Sequence, residues 1–168
     1  MKIRLLIMVI VISSFLTACG FHLRGAGTEL EGAKVWLLSN TPNAGFERAL
    51  KQRLSYQGAK LVEDAENSQI QLSIVGYNVE KRTVARDSYG RASELELVFT
   101  LQYQLLTPNM VTEDEVETQV LNSRREFAYL RTLESGQVNE QQRLIDDMHQ
   151  DVINRLLLQM ATTLHLKP

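Results

Sequence analysis

Residues 94–105 read Glu94-Leu95-Glu96-Leu97-Val98-Phe99-Thr100-Leu101-Gln102-Tyr103-Gln104-Leu105. Leu95, Leu97, Phe99, Leu101, Tyr103 and Leu105 occupy every second position. Glu94, Glu96, Thr100, Gln102 and Gln104 fill most of the alternate ones. A period of two sends successive side chains to opposite faces of a strand. The stretch therefore describes a long antiparallel strand with one dry face and one wet face. A dry face this long needs a second layer over it.

The neighbours supply the rest of a sheet. Upstream, Ile70, Leu72 and Ile74 alternate with Gln69, Gln71 and Ser73. At Val75-Gly76 the frame slips, and Val75, Tyr77 and Val79 become the apolar set. Such a slip marks a bulge, which glycine permits. The strand continues toward Val84, and Asp87-Ser88-Tyr89-Gly90 is a turn signal, so the two strands form a hairpin. Downstream, Thr107-Pro108-Asn109 ends the central strand. Glu113-Asp114-Glu115 reads as a solvated loop, and a further strand runs from about residue 116 to 130 with Phe127 and Tyr129 on one face.

The flanks supply the covering layer. Val35-Trp36-Leu37-Leu38 is a short buried strand. A helix follows, with Thr41 as its cap, Pro42 in its first turn and Glu47 near its positive end. Phe46, Leu50 and Leu54 form its apolar stripe, and Gly58 ends it. Ala59 to Val62 is either a short strand or a connection.

After Gly136, residues 139–166 lack both Gly and Pro. Ile145, Met148, Val152, Leu156, Met160 and Leu164 recur at three- and four-residue spacing. At about 1.5 Å per residue this is a rod of roughly 42 Å. Asp146, Asp147 and Asp151 on its polar face speak against a membrane-surface helix, which is usually basic there. Its stripe should pack on the face bearing Leu95 to Leu105. The expected fold is α+β: a mainly antiparallel four-stranded sheet with two helices packed on one face, the first passage being a right-handed crossover.

The amino terminus has a different character. Lys2 and Arg4 precede an apolar run from Leu5 to Leu16, and Thr17-Ala18 leads into Cys19, the single cysteine. This is a secretory signal, and Leu16-Thr17-Ala18-Cys19 resembles a bacterial lipobox, whose cysteine is acylated. The apolar run is too short for a membrane span of roughly 20 residues. A lone cysteine in a secreted chain has no internal disulfide partner, and lipid attachment gives it a use. Gly20, where aspartate would resemble an inner-membrane retention signal, points to the outer membrane. The division is then 1–18 signal peptide, 19–32 lipidated tether, and 33–168 a single α+β domain.

The chain carries 18 basic and 20 acidic residues. Loss of Lys2 and Arg4 with the signal leaves 16 against 20, or −4. A mildly acidic protein is a poor nucleic-acid ligand. His22, His149 and His165 have no metal-ligand spacing, and no nucleophile elbow occurs. Gly25-Ala26-Gly27 follows no strand, so it is no phosphate loop. The reading is a non-enzyme with no cofactor and no metal. The one notable charged feature brackets the turn: Lys81, Arg82, Arg86 and Arg91, against Glu80 and Asp87. It reads as a solvated hairpin end protected from edge pairing, or as an anion site, because arginine forks match phosphate oxygens.

Leu16-Thr17-Ala18-Cys19-Gly20-Phe21-His22-Leu23-Arg24-Gly25 resembles the start of the LptE family of lipopolysaccharide-assembly lipoproteins. The order of elements and Asn139-Glu140-Gln141 at the last helix are also similar. The resemblance implies a plug inside LptD, a large outer-membrane β-barrel, which helps the barrel assemble and helps deliver lipopolysaccharide to the outer leaflet. It implies localisation on the periplasmic side of the outer membrane and in the barrel lumen. It further implies lipopolysaccharide binding by basic residues at one end of the fold, here Lys81, Arg82, Arg86 and Arg91. Some relatives carry a basic residue where the final helix begins, whereas this chain reads Gly136-Gln137-Val138-Asn139. The alternative function is a free periplasmic lipoprotein that carries a small apolar ligand in an internal cavity.

Overall fold

The structure, a computed structural model, describes residues 30–40, 44–108, 116–129 and 134–165. Cys19, the signal, residues 19–29 of the tether, Thr41, Pro42 and the Glu113–Glu115 loop lie outside them. The elements are β1 (Lys34–Ser39), α1 (Gly45–Tyr56), β2 (Lys60–Val62), a 3-10 turn (Ala65–Asn67), β3 (Ile70–Arg86), β4 (Ala92–Leu106), β5 (Gln119–Ala128) and α2 (Glu134–His165).

The sheet has five strands in the order β2-β1-β3-β4-β5. It is mixed, which corrects the expected four antiparallel strands. β1 lies parallel to both β2 and β3, while β3–β4 and β4–β5 are antiparallel. Ala59 to Val62 thus resolves as a strand. A helix between two strands brings the chain back to the starting end of the sheet, so β1 and β2 pair parallel.

The bulge stands where the frame slips. β3 pairs Ile74 with Tyr103 and Gly76 with Gln102, which skips Val75. Beyond it, Tyr77 faces the same side as Leu101 and packs on the core. β3 runs on to Arg86, and a further irregularity near Ala85 leads into the turn.

One core lies between the sheet and both helices. From β4 it takes Leu97, Phe99, Leu101, Tyr103 and Leu105; from α1, Phe46, Leu50 and Leu54; from α2, Met148, Val152, Ile153, Leu156, Leu157 and Met160. Each fully buried large apolar side chain contributes about 1.5–3 kcal/mol. Phe46, Tyr77, Phe99 and His149 join α1, β3, β4 and α2 in one aromatic cluster, with centroids 4.7–5.9 Å apart. Burial holds His149 below its ordinary value of 6.5, with Asp146 opposing. Leu30, within the segment read as tether, is also fully buried in this core.

Two helix boundaries differ from expectation. α1 begins at Gly45 with Ala44 at the N-cap and no side-chain cap, later than Thr41 suggested, although Glu47 does fall in its first turn. It ends as predicted at Gly58, whose φ is +79°. The Gly58 and Ala59 N–H groups donate to the carbonyls of Ser55 and Leu54 at 3.0 and 3.1 Å, a Schellman closure. α2 begins at Glu134, so Gly136 lies inside its first turn and does not separate the helix from the strands.

Polar contacts fix α2 along β5. Arg125 meets Asp147 at 2.7 Å. The buried Ser123 hydroxyl donates to Asp151 at 2.7 Å. Arg155 reaches Asp151 at 3.1 Å and donates to the Asn122 carbonyl.

Candidate functional site

The chain alternates between two ends of this fold. At one end β1 and β3 start side by side: Lys34 N–H donates to Gln69 Oε1 at 2.9 Å, just before β3 begins. At the other end is the β3–β4 turn. Sixteen residue steps of β3 separate them, roughly 50 Å at about 3.3 Å per residue. The paired strands β3 and β4 hold the turn at that distance.

Asp87 organises the turn. Its Oδ1 accepts from the backbone N–H of Tyr89 at 2.8 Å and of Arg91 at 3.0 Å. Its Oδ2 accepts from Arg91 Nε at 2.8 Å and from Nη2 at 2.8 Å. These donors stabilise the carboxylate, the backbone N–H of Arg91 foremost, and hold its pKa below the ordinary value. The backbone closes as well, from Asp87 N–H to the Arg91 carbonyl at 2.7 Å and from Gly90 N–H to the Asp87 carbonyl at 2.9 Å. Gly90, at φ +76°, supplies the left-handed residue this turn requires.

The four basic residues read from the sequence do not form one cluster. Arg91 is held by Asp87, and its guanidinium lies 4.9 Å from the centroid of the Tyr89 ring. Arg82 is paired with Glu80 at 2.5 Å. That hydrogen bond lowers the Glu80 pKa and raises that of Arg82. Arg86 donates from Nη1 to the Gly90 carbonyl at 2.8 Å. Among the described residues, only Arg86 and Lys81 of the four have no carboxylate partner. Lys81 lies opposite Leu97, on the helix-covered face, whereas Arg82 lies opposite Glu96 on the open face. Adjacent strand residues point to opposite faces, so these two serve different sides of the hairpin. The period of two already carried that signal.

Tyr89 was not singled out by charge counting. It is 81% exposed, with one ring face backed by Arg91. Arg124 was missed too; it stands opposite Val98 on the open face, in the same cross-strand row as Glu80 with β4 between them. Among the described residues no group of His, Cys, Asp and Glu could hold a metal ion, and no helix is long and apolar enough to cross a membrane.

Comparison with known proteins adds an independent line. Residues 34–160 match the family model LptE, described as lipopolysaccharide-assembly. A protein of Pectobacterium atrosepticum named LPS-assembly lipoprotein LptE is 32% identical over 111 residues, covering 64% of this chain and 60% of that protein. A Yersinia pestis protein of the same name is 34% identical over 113 residues, covering 64% and 54%. These matches thus span little more than half the length of those relatives. Among solved structures, a lipoprotein B of Nitrosomonas europaea superposes with TM-score 0.71 at 27% identity, over 88% of this chain and 94% of that one. The rare lipoprotein B of Shewanella oneidensis gives 0.70 at 21%, over 77% and 95%, which speaks for the fold.

Proposed function

Because the chain belongs to the LptE lipopolysaccharide-assembly family, we propose that it is an outer-membrane lipoprotein that plugs an LptD-like β-barrel and helps it assemble. In this reading it assists delivery of lipopolysaccharide to the outer leaflet. Acyl chains on Cys19 hold it to the membrane from the periplasmic side, and the fold occupies the barrel lumen. It binds lipopolysaccharide through the hairpin tip and performs no catalysis.

The observation that carries the reading is the long paired hairpin, which sets a turn bearing Arg86, a cation with no carboxylate partner among the described residues, far from the end where β1 and β3 start. An anchored plug needs such a separation: one end stays at the membrane while the other meets the transported molecule. The filled core supports a plug over a carrier. Phe46, Phe99, Tyr103, Met148, Leu156 and Met160 are all fully buried between helices and sheet, where a carrier would need room for its ligand.

Among the basic residues, Arg86 and Lys81 are the stronger candidates for phosphate. Arg91 and Arg82 already share their charge with Asp87 and Glu80, and exposed pairs of this kind screen each other. The test is co-purification from solubilised outer membranes, together with lipopolysaccharide binding by Lys81→Ala/Arg86→Ala. Capture of a large barrel and an affinity loss of about tenfold, the size expected for lost charge-assisted hydrogen bonds, are the supporting results. Purification without a barrel would overturn the plug. Unchanged affinity would overturn the tip as the lipopolysaccharide site. Cys19→Ser should leave the protein without acyl chains, and acyl chains found on that variant would refute the anchor.

A further inference from the structure

We propose that Tyr89 is the contact residue of the hairpin tip: the free face of its ring stacks on a sugar ring of a phosphorylated saccharide headgroup, and Arg86 meets the phosphate. Asp87 is the positioning residue. The inference rests on the lipopolysaccharide reading above and divides its labour among residues that reading treated alike.

The geometry separates a support from a contact. Arg91 makes two hydrogen bonds to Asp87, at 2.8 Å each, and lies against Tyr89. It is therefore committed: its charge faces a carboxylate and its plane backs a ring. Asp87 has no acceptor capacity left pointing outward, because both oxygens take two N–H donors each. An incoming anion would meet a neutralised carboxylate. Tyr89 has a fixed backbone through its N–H bond to Asp87 and one ring face covered, yet stays 81% exposed. A large apolar surface held out on a rigid turn costs little entropy to bind with, which is why tyrosine recurs as an anchor at recognition surfaces.

The chemistry of the occupant follows from what stands beside the ring. Arg86 holds Gly90 with one nitrogen and has no carboxylate partner, leaving N–H donors for an anion. Ser88 adds a hydroxyl in the same turn. A flat aromatic face, a hydroxyl and a free guanidinium complement the C–H face, hydroxyls and phosphate of a phosphosugar. A fatty chain would gain little from one ring flanked by cations. Acidic residues outnumber basic ones, 20 to 18, which disfavours a polynucleotide.

The experiment measures binding of detergent-solubilised full-length protein to lipid A, to enzymatically dephosphorylated lipid A, and to phosphatidylglycerol vesicles. Tyr89→Ala, Tyr89→Phe, Asp87→Asn and Arg86→Gln are compared with the unaltered chain. Tyr89→Ala is expected to lose about tenfold toward both lipid A forms, while Tyr89→Phe keeps its affinity, because the ring and not the hydroxyl makes the contact. Arg86→Gln is expected to lose affinity for the phosphorylated form only. Asp87→Asn, which removes the carboxylate that holds Arg91, is expected to show a smaller loss than Tyr89→Ala. Thermal melting controls for folding.

Lipid A binding by Tyr89→Ala equal to that of the unaltered chain would overturn the assignment while leaving the lipopolysaccharide reading standing. Failure of the unaltered chain to bind lipid A would overturn both. Equal binding to phosphatidylglycerol would overturn the sugar contact and make the tip a general anionic-lipid surface. Barrel capture lost in Tyr89→Ala with lipid A affinity intact would make the ring a protein contact, which also overturns it.

Discussion

The ring of Phe46 on α1 stands 5.2 Å from the ring of Phe99 on β4, tilted by 41°. Both side chains are fully buried. The contact pins the short helix to the middle of the strand that organises the sheet, next to the point where α2 crosses. Phe46→Ala removes the aromatic cluster's α1 member and leaves a cavity. The expected cost is about 3–5 kcal/mol, read by urea denaturation. A loss under ~1 kcal/mol would show that α1 is not held by this contact.

His149 makes the same junction sensitive to acid. Burial disfavours its charged form, so its folded pKa lies below 6.5, with Asp146 only partly offsetting this. The unfolded chain therefore binds the proton more readily than the folded one. The contribution to stability is complete above about pH 6.5 and is lost as pH falls through the lowered folded value. Tm should decline in that window, and His149→Gln should flatten this part of the profile. Phe46 and Phe99, the rings against His149, do not titrate. Identical Tm-against-pH curves for the two proteins would refute the linkage.

Gly58 closes α1 under two constraints. Its φ is +79°, and an added Cβ would stand 3.2 Å from the Glu31 Cα. Gly58→Ala is expected to cost about 1–2 kcal/mol from the left-handed backbone alone, more if the segment at Glu31 must shift. Circular dichroism melting reads the effect, and an unchanged Tm would contradict it.

Tyr103 places a hydroxyl on the dry face of β4. It bonds Gln119 on β5 at 2.8 Å and also Gln159 on α2. Desolvation raises its pKa, with Gln159 opposing. Tyr103→Phe keeps the ring and strips the bridge. The expected loss is about 1 kcal/mol, because the half-buried Gln159 amide loses a partner while the exposed Gln119 amide turns to water. Equal stability by urea titration would mean that the Gln159 amide finds another partner.

The candidate site was half legible. Charge counting around residues 80–91 finds the tip, and Asp87-Ser88-Tyr89-Gly90 announces its turn. The count cannot see that Asp87 and Glu80 take up Arg91 and Arg82, since pairing depends on rotamers across a turn and along a face. Tyr89 carries no charge and breaks no pattern, so only its exposure and its stacking on Arg91 bring it forward.

Local periodicity determined the layers. Alternation from Leu95 to Leu105 defines a dry strand face, the Val75-Gly76 slip places the bulge, and the Ile145–Leu164 spacing supplies the helix that covers that face. Each follows from side-chain direction over a few residues, which the backbone geometry imposes wherever the segment ends up. Strand order is of another kind. Val35-Trp36-Leu37-Leu38 is apolar throughout and carries no period, so nothing local orients it. Its parallel place between β2 and β3 comes from contacts that bring Lys34 to Gln69 and Val35 to Ile70. The start of α2 was decided the same way: a glycine costs little in a first turn whose N–H groups have no intrahelical partner, so Gly136 could not mark the boundary. Tertiary packing selected these features because their energies depend on partners distant in the chain.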